Sequence, residues 1–197
     1  MFESPQEHTD LVFSFKAMRR GLFLVILGNL LLSVGTETIT NPVLAVAFLG
    51  TELRNFVNLA LVLAGAVLAL VGFYFMFVPG VTDLKESDPD YATPALLIEY
   101  GYMFGLILSI FGILSAWSVI GLLMLVLSLA LLVIGMIGMI ILCFRLYYNE
   151  ESNLYMIAGI IFVIGIFINV AALISYILMY LALGKTIRRY STSKQLT

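Results

Sequence analysis

The chain has 197 residues, of which 62% are hydrophobic and 11% are charged, and its formal net charge at pH 7 is −2. Soluble domains carry about 25% charged residues, so this composition is typical of a protein embedded in a membrane. The small net charge and the lack of a basic stripe with interleaved aromatic residues exclude a nucleic-acid partner. The length suits a single compact domain whose main partner is the lipid bilayer.

The longest uncharged segment indicates the fold class. Tyr100 to Phe144 is a run of 45 residues without Asp, Glu, Lys or Arg. A helix needs about 20 apolar residues to cross the hydrocarbon core of a bilayer, so this run predicts two crossings. We therefore predict an all-α fold, a polytopic integral membrane bundle of about five transmembrane helices.

The first predicted span follows a polar and amphipathic N-terminal segment at residues 1–20. Residues 17–39 are long enough for one crossing. The basic residues before the apolar run, together with the small Ser33 and Gly35, also resemble a secretory signal with its cleavage site. Because the leader is long and partly acidic, we favour an uncleaved span.

An irregular segment separates the first two spans. Asn41-Pro42 predicts a break, because proline disfavours helical geometry at the preceding residue. Val43 to Gly50 is apolar but short, and we predict an interfacial helix there, with a dip into the membrane or an extra turn of the second span as alternatives. The second span covers residues 55–78 and ends at Pro79-Gly80, before a hydrophilic loop at residues 82–94.

Three further spans follow that loop. The third covers residues 95–115 and the fourth residues 119–144, joined by the uncharged connection Ser115-Ala116-Trp117-Ser118. A charged, tyrosine-bearing loop at residues 145–153 then leads to the fifth span, residues 154–183. Each of these spans is long enough to cross a bilayer.

The predicted domain organisation is the N-terminal segment (1–20), one transmembrane domain (21–184) and a basic tail (185–197). Five crossings place the two chain ends on opposite sides of the membrane. The excess of Lys and Arg that marks cytoplasmic loops then gives no orientation, because each side receives five of the ten basic residues. The tie allows an alternative in which Val43 to Gly50 contributes an extra crossing and both ends lie inside.

Residue types that carry catalysis or bind metals are scarce. His8 is the only histidine and Cys143 the only cysteine. These are too few for a zinc site or for a haem held between two helical histidines. The sequence has no G-x-S-x-G elbow, no Walker-type loop and no H-E-x-x-H motif. We therefore predict no enzyme activity, no cofactor, and no catalytic, cofactor-binding or metal-binding residues.

Small residues recur at spacings that suit close helix packing. They repeat every four residues in the third span and every seven in the fourth. In lipid, small side chains let helix backbones approach closely. We predict packing within the chain, with packing against a partner subunit as the alternative. The residues are Gly101, Gly105, Ser109, Gly121, Ser128 and Gly135.

Polar residues inside the spans form a second candidate site. Three of them are spaced by four residues on the first helix and share one face, and others lie on one side of the fifth span or one turn into the third. One interpretation is a track for a proton, an ion or a small solute. The other, which we favour, is that they contact headgroups or hydrogen-bond across helices. The candidates are Asn29, Ser33, Glu37, Glu99, Asn169 and Tyr176.

The last third of the chain resembles a group of known proteins. The turn Tyr147 to Glu151, the glycine-rich final span and the closing Leu183-Gly184-Lys185-Thr186-Ile187-Arg188-Arg189 are similar to small multi-pass archaeal membrane proteins of unknown function. The resemblance implies an archaeal membrane and brings no activity with it.

Two functions are consistent with these features. The leading hypothesis is a non-catalytic accessory or scaffold subunit in the cell membrane, packed against partner subunits or against copies of itself. It rests on the missing catalytic residues, the small-residue helix faces and the minimal loops. The alternative is a small transporter or channel that moves a proton, ion or small solute along the polar face containing Glu37.

Overall fold

The computed structural model describes residues 5–40, 51–115, 117–166 and 168–193. The described chain is 95% helical and has no strands, which confirms the predicted all-α class. A π-helical segment, Gly72–Phe77, joins the second helix to the third, and a 3₁₀ turn, Pro89–Tyr91, precedes the fourth. The predicted interfacial helix at Val43 to Gly50 lies outside the described residues. The α-helices are α1 (Pro5–Thr40), α2 (Thr51–Val71), α3 (Val78–Ser87), α4 (Ala92–Leu114), α5 (Val119–Glu150), α6 (Asn153–Gly165) and α7 (Asn169–Ser193).

α1 and α2 form an antiparallel hairpin whose backbones touch at glycines. A Cβ atom added to Gly28 would lie 2.5 Å from the carbonyl oxygen of Gly65, and one added to Gly21 would lie 2.5 Å from that of Gly72. Larger residues would hold the helices apart, and close backbone contact is the main source of helix association in lipid. The predicted boundary at residue 20 falls inside α1, so the N-terminal segment continues directly into the first span.

The sequence predicted that the second span ends at Pro79-Gly80, but the helix continues past this position. The π-helical segment leads into α3, and the Val78 N–H donates to the carbonyl of Phe73, five residues back. Pro79 has no N–H to donate, and the wider turn lets the helix pass this position with its hydrogen bonding rearranged. Proline inside a membrane helix is tolerated for this reason. Much of the predicted hydrophilic loop is consequently helical, since α3 continues to Ser87.

α4 and α5 form a second antiparallel hairpin, with its turn at Ser115 to Ser118 where the sequence predicts it. The Ser118 hydroxyl accepts a hydrogen bond of 3.0 Å from the Gly121 N–H and so caps the start of α5. α5 continues past the predicted end at Phe144 as far as Glu150. Glu151 ends it in a left-handed conformation, φ 51°, with its N–H bonded to the Tyr147 carbonyl at 2.9 Å.

The fifth predicted span, residues 154–183, is two helices and not one. α6 ends at Gly165, and α7, which starts at Asn169, runs antiparallel to α6. A Cβ atom on Gly165 would lie 2.9 Å from the Cα of Ala172, so the tight reversal requires glycine here. Tyr155 at the start of α6 shares a 3.0 Å hydrogen bond with Thr186 on α7, which fixes the register of the pair.

Both described ends of the chain lie at the same end of the bundle, whereas five complete crossings would separate them. Phe15 of α1 contacts Tyr190 of α7, with ring centroids 6.1 Å apart. The Tyr190 hydroxyl donates to Glu150 of α5 at 2.9 Å, and the neighbouring Asn149 donates to Tyr91 at 2.9 Å. We call the end of the bundle that holds these contacts the basic end. The opposite end, which holds the Ser115 to Ser118 turn and the 90% exposed Trp117, is the tryptophan end.

In the described part of the chain, five helices are long and apolar enough to span a membrane, in agreement with the predicted number. Their lengths and compositions are those of a multi-pass membrane protein. The buried core lies toward the basic end, where both hairpins meet α6 and α7. Its largest fully buried side chains include Tyr155, Phe15, Phe77 and Phe162. The candidate spans are Leu11–Val34, Phe56–Ser87, Pro89–Leu114, Val119–Glu150 and Val170–Thr192.

Candidate functional site

Two members of the predicted polar track bond to the backbone of the helix that carries them. Asn29 donates to the Val25 carbonyl at 2.8 Å, and Ser33 donates to the Asn29 carbonyl at 2.9 Å. Both groups therefore bond to the backbone of their own helix, a common arrangement for such residues inside a helix.

The other members of that track lie on different elements. Glu99 is half-buried on α4, which packs on α5 and α3. Tyr176 is on α7, edge-on to Phe162 of α6 with centroids 5.1 Å apart. The side chains of Glu37 and Asn169 lie outside the described part of the chain. Tyr176 is also hydrogen-bonded to Tyr102 of α4, which lies three residues from Glu99.

The predicted packing residues lie between α4 and α5. A Cβ atom on Gly101 would lie 2.5 Å from the backbone nitrogen of Gly135, and the Ser128 hydroxyl donates to the Gly105 carbonyl at 2.8 Å. Gly121 is buried at the capped start of α5, and Ser109 is half-buried on α4. These residues hold one hairpin of the chain together and leave the outer surfaces of both helices uncovered.

A lateral pocket near the basic end is the strongest candidate for a binding site. It lies between α1, the π-helical segment and α7, and its volume is about 560 Å³. One side carries basic groups and a phenol, and the other is apolar. The lining residues are Lys16, Arg19, Arg20, Phe23, Leu24, Met76, Tyr180 and Ile187.

The basic wall of the pocket follows from the helical repeat of α1. Lys16, Arg19, Arg20 and Phe23 are spaced by three and four residues, so they share one face of the helix. Lys16 and Arg20 are exposed and Arg19 is half-buried. The sequence contains this signal, because the spacing of these residues alone places them on one helical face.

Arg19 is positioned by α7. Its guanidinium carbon lies 4.6 Å from the centroid of the Tyr180 ring, a cation–π contact, and its Nη2 donates to the Tyr180 hydroxyl at 3.3 Å. Gly184 makes room for it, because a Cβ atom there would lie 3.1 Å from the same guanidinium carbon. The Arg19 Nε is buried and has no hydrogen-bond partner within the described structure.

The positive charge of the pocket has no carboxylate beside it in the described structure. No Asp or Glu lines it among the described residues. The ion pair between Arg145 and Asp90, 3.4 Å apart, lies elsewhere at the basic end. Arginine and lysine without carboxylate partners, next to a phenol and an apolar wall, are suited to an anion attached to an apolar body.

A separate set of polar contacts closes the basic end. Tyr190 donates to the buried Glu150 carboxylate, and Arg189 Nη1 donates to the Glu150 carbonyl at 3.1 Å. Because these groups bond to one another across α5 and α7, they hold the α6–α7 pair against the bundle. We assign them a structural role.

Comparison with known proteins gives no functional assignment. No protein-family model matches the chain, and no curated protein or solved structure is significantly similar to it.

Proposed function

We propose that the chain is a non-catalytic integral membrane protein that binds an anionic amphiphile, with phosphate as the anion, in the pocket between α1 and α7. The single observation that carries this proposal is Arg19. Its guanidinium is held in place by Tyr180 and lines the pocket, where no carboxylate of the described structure accompanies it. Arginine presents a fork of N–H donors that matches the geometry of a phosphate, so a phosphate is the partner that suits it.

The surrounding charges favour a phosphate over a neutral ligand. Lys16 and Arg20 lie on the same face of α1 as Arg19, so three positive charges line one site. Hydrogen bonds between guanidinium groups and phosphate are charge-assisted and stronger than neutral ones. An anion here also lowers the mutual repulsion of the three cations, which opposes their clustering when the pocket is empty.

The apolar wall favours a ligand with a hydrocarbon portion. Phe23 and Leu24 follow the basic residues along α1, and Met76 of the π-helical segment lines the same pocket. A phosphate bound by Arg19 therefore places an attached acyl or isoprenoid chain against apolar side chains, where burial away from water is favourable. Basic side chains at headgroup depth with apolar residues below them match the two parts of a lipid.

Ligand-dependent thermal unfolding of the detergent-solubilised protein tests this proposal. The ligands are short-chain phosphatidylglycerol, phosphatidylcholine of the same chain length, and inorganic phosphate. We expect phosphatidylglycerol to raise the unfolding midpoint most, and R19Q to weaken its apparent affinity by about tenfold or more. R188Q is the matched control, because it removes the same charge from an exposed position of α7 outside the pocket.

Three outcomes would contradict the proposal. Equal shifts with phosphatidylcholine would show that the anion is irrelevant. Equal weakening in R19Q and R188Q would show a diffuse charge effect. A full shift with inorganic phosphate alone would identify a soluble anion as the ligand. R19K serves as a folded variant if R19Q does not accumulate. We expect a smaller loss of affinity than in R19Q because the charge is retained, and some loss because lysine cannot bind phosphate in a bidentate way.

We further propose, as the sequence suggested, that the protein acts as an accessory or scaffold subunit in the cell membrane. Support comes from the half of the bundle at the tryptophan end, where α4 and α5 expose large apolar side chains on their outer faces. Lipid or other membrane helices cover such surfaces. A larger complex after mild detergent extraction is the expected result, and an isolated monomer without co-purifying chains would count against this role.

A further inference from the structure

We infer that the chain crosses the membrane four times, that α6 and α7 form a re-entrant hairpin, and that both described ends of the chain and the lateral pocket face the cytoplasm. The pocket ligand is then an acidic phospholipid of the cytoplasmic leaflet, a conclusion that rests on the proposed function. The membrane topology itself does not depend on any ligand.

The directions of the helices give the four crossings. α1 runs from the basic end to the tryptophan end, and α2 to α3 returns, as the contacts of Gly28 with Gly65 and of Gly80 with Met18 show. α4 likewise runs from the basic end to the tryptophan end, and α5 returns after the turn at Ser115 to Ser118. After α5 the chain is at the basic end, where Glu150 contacts Tyr190.

α6 is too short to cross from there. Its 13 residues measure about 20 Å at 1.5 Å per residue, whereas the hydrocarbon core is about 30 Å thick. α7 has the length of a span, but it pairs antiparallel with α6 from Ala172 next to Gly165 to Thr186 next to Tyr155. It therefore starts at the tip of the hairpin and returns to the side from which α6 entered.

The hairpin tip has a composition that suits membrane depth. The chain from Leu154 to Gly184 carries no charged residue. The N–H groups of Ile166, Ile168 and Ala171 donate to carbonyls at 3.2, 3.0 and 3.0 Å, so these three amides need no water. Such internal pairing lowers the cost of placing the backbone of a turn at membrane depth.

The charge distribution then gives the orientation. Nine of the chain's ten Lys and Arg residues lie in the described part of the chain. Eight of these nine lie in the half of the bundle at the basic end, and Arg54, near the start of α2, lies at the other end. An excess of this size marks the cytoplasmic side. The tie in the sequence-based count arose because a single fifth span placed the C-terminal cations on the wrong side. The eight are Lys16, Arg19, Arg20, Lys85, Arg145, Lys185, Arg188 and Arg189.

This orientation places the pocket where acidic lipids are encountered. The cytoplasmic leaflet has a negative surface potential that attracts basic groups near the membrane surface. Lys16, Arg19 and Arg20 lie at that end of α1, and the apolar wall of the pocket lies on the membrane side of them. A cytoplasmic-leaflet phospholipid reaches this site sideways from the bilayer without leaving it.

Cysteine labelling with a membrane-impermeant maleimide tests the topology. Cys143 is fully buried and is the only native cysteine, so the wild-type chain provides an unlabelled baseline. In right-side-out vesicles we expect W117C to be labelled, and S191C and E86C to be protected. In inside-out vesicles the pattern reverses. I168C, at the hairpin tip, is expected to stay unlabelled in both until detergent is added.

Each departure from that pattern overturns a stated part of the inference. Labelling of S191C and E86C from opposite sides would mean that α7 crosses completely, as would labelling of I168C together with W117C. External labelling of S191C and E86C with protection of W117C would reverse the orientation. The same measurements in R19Q separate topology from lipid binding, because the labelling pattern is expected to be unchanged when the pocket is disabled.

Discussion

The two halves of the bundle are stabilised in different ways. Near the basic end, helices from both hairpins pack with α6 and α7 around large buried side chains such as Phe77 and Tyr155. Toward the tryptophan end, α4 packs mainly on α5 through glycines, and residues such as Val119 and Leu123 are exposed. A membrane protein can leave that half open because lipid is as apolar as the side chains that it covers. Binding chemistry is therefore expected where the helices converge.

The largest expected effect comes from filling the glycine contact between α4 and α5. A side chain at Gly101 would meet the backbone nitrogen and Cα of Gly135 at 2.5 and 2.7 Å, and backbone atoms cannot move aside cheaply. We expect G101V to lower the free energy of unfolding by about 3 kcal/mol. Denaturation by SDS in mixed micelles measures it.

M103V is the matched control for that substitution, because Met103 lies on the same turn of α4 and is exposed. It should change the free energy of unfolding by no more than about 0.5 kcal/mol. Equal effects of the two substitutions would mean that glycine contact does not hold the second hairpin together.

A smaller loss is expected from the polar contacts at the basic end. Tyr190→Phe removes the hydroxyl that donates to the buried Glu150 carboxylate at 2.9 Å. Weakening the hydrogen bonding of a buried charged group costs about 1–2 kcal/mol. Y148F removes a hydroxyl from an exposed ring of α5 and should have little effect. If both substitutions were neutral in the same SDS titration, the α6–α7 hairpin would be held by apolar packing alone.

The smallest effect has the opposite sign. Glu151 adopts φ 51°, where any residue but glycine is strained. We expect Glu151→Gly to stabilise the protein by about 0.5–1 kcal/mol. Glu86→Gly removes the same charge from an exposed helical position of α3, so it should destabilise by up to about 1 kcal/mol. Destabilisation by both would show that the Glu151 side chain makes a contact that outweighs the strain.

Much of the fold could be predicted from the sequence because hydrophobic length is a strong signal. The uncharged run from Tyr100 to Phe144 predicted α4, α5 and the turn between them. Two local signals were misinterpreted. Pro79 suggests a helix end by the rules of soluble proteins, but the π-helical turn carries the membrane helix past it. The predicted fifth span was long enough for a crossing, and Gly165 was the one visible hint of the reversal inside it.

The candidate site was harder to predict from the sequence than the fold. Lys16, Arg19 and Arg20 share a helical face that their spacing predicts. The partners that turn this face into a pocket, Tyr180 and Gly184, lie about 160 positions away, and only the antiparallel contact of α1 with α7 brings them together. Asn29 and Ser33 were easier to single out as polar residues in a span, yet both bond to the backbone of their own helix.

The most direct test of the central claim is native mass spectrometry of the purified protein, which counts the lipids that each variant retains. We expect one tightly retained acidic phospholipid in the wild-type chain and in R188Q, and loss of that lipid in R19Q. Equal retention by R19Q and the wild-type chain, or retention of zwitterionic lipid only, would contradict the account.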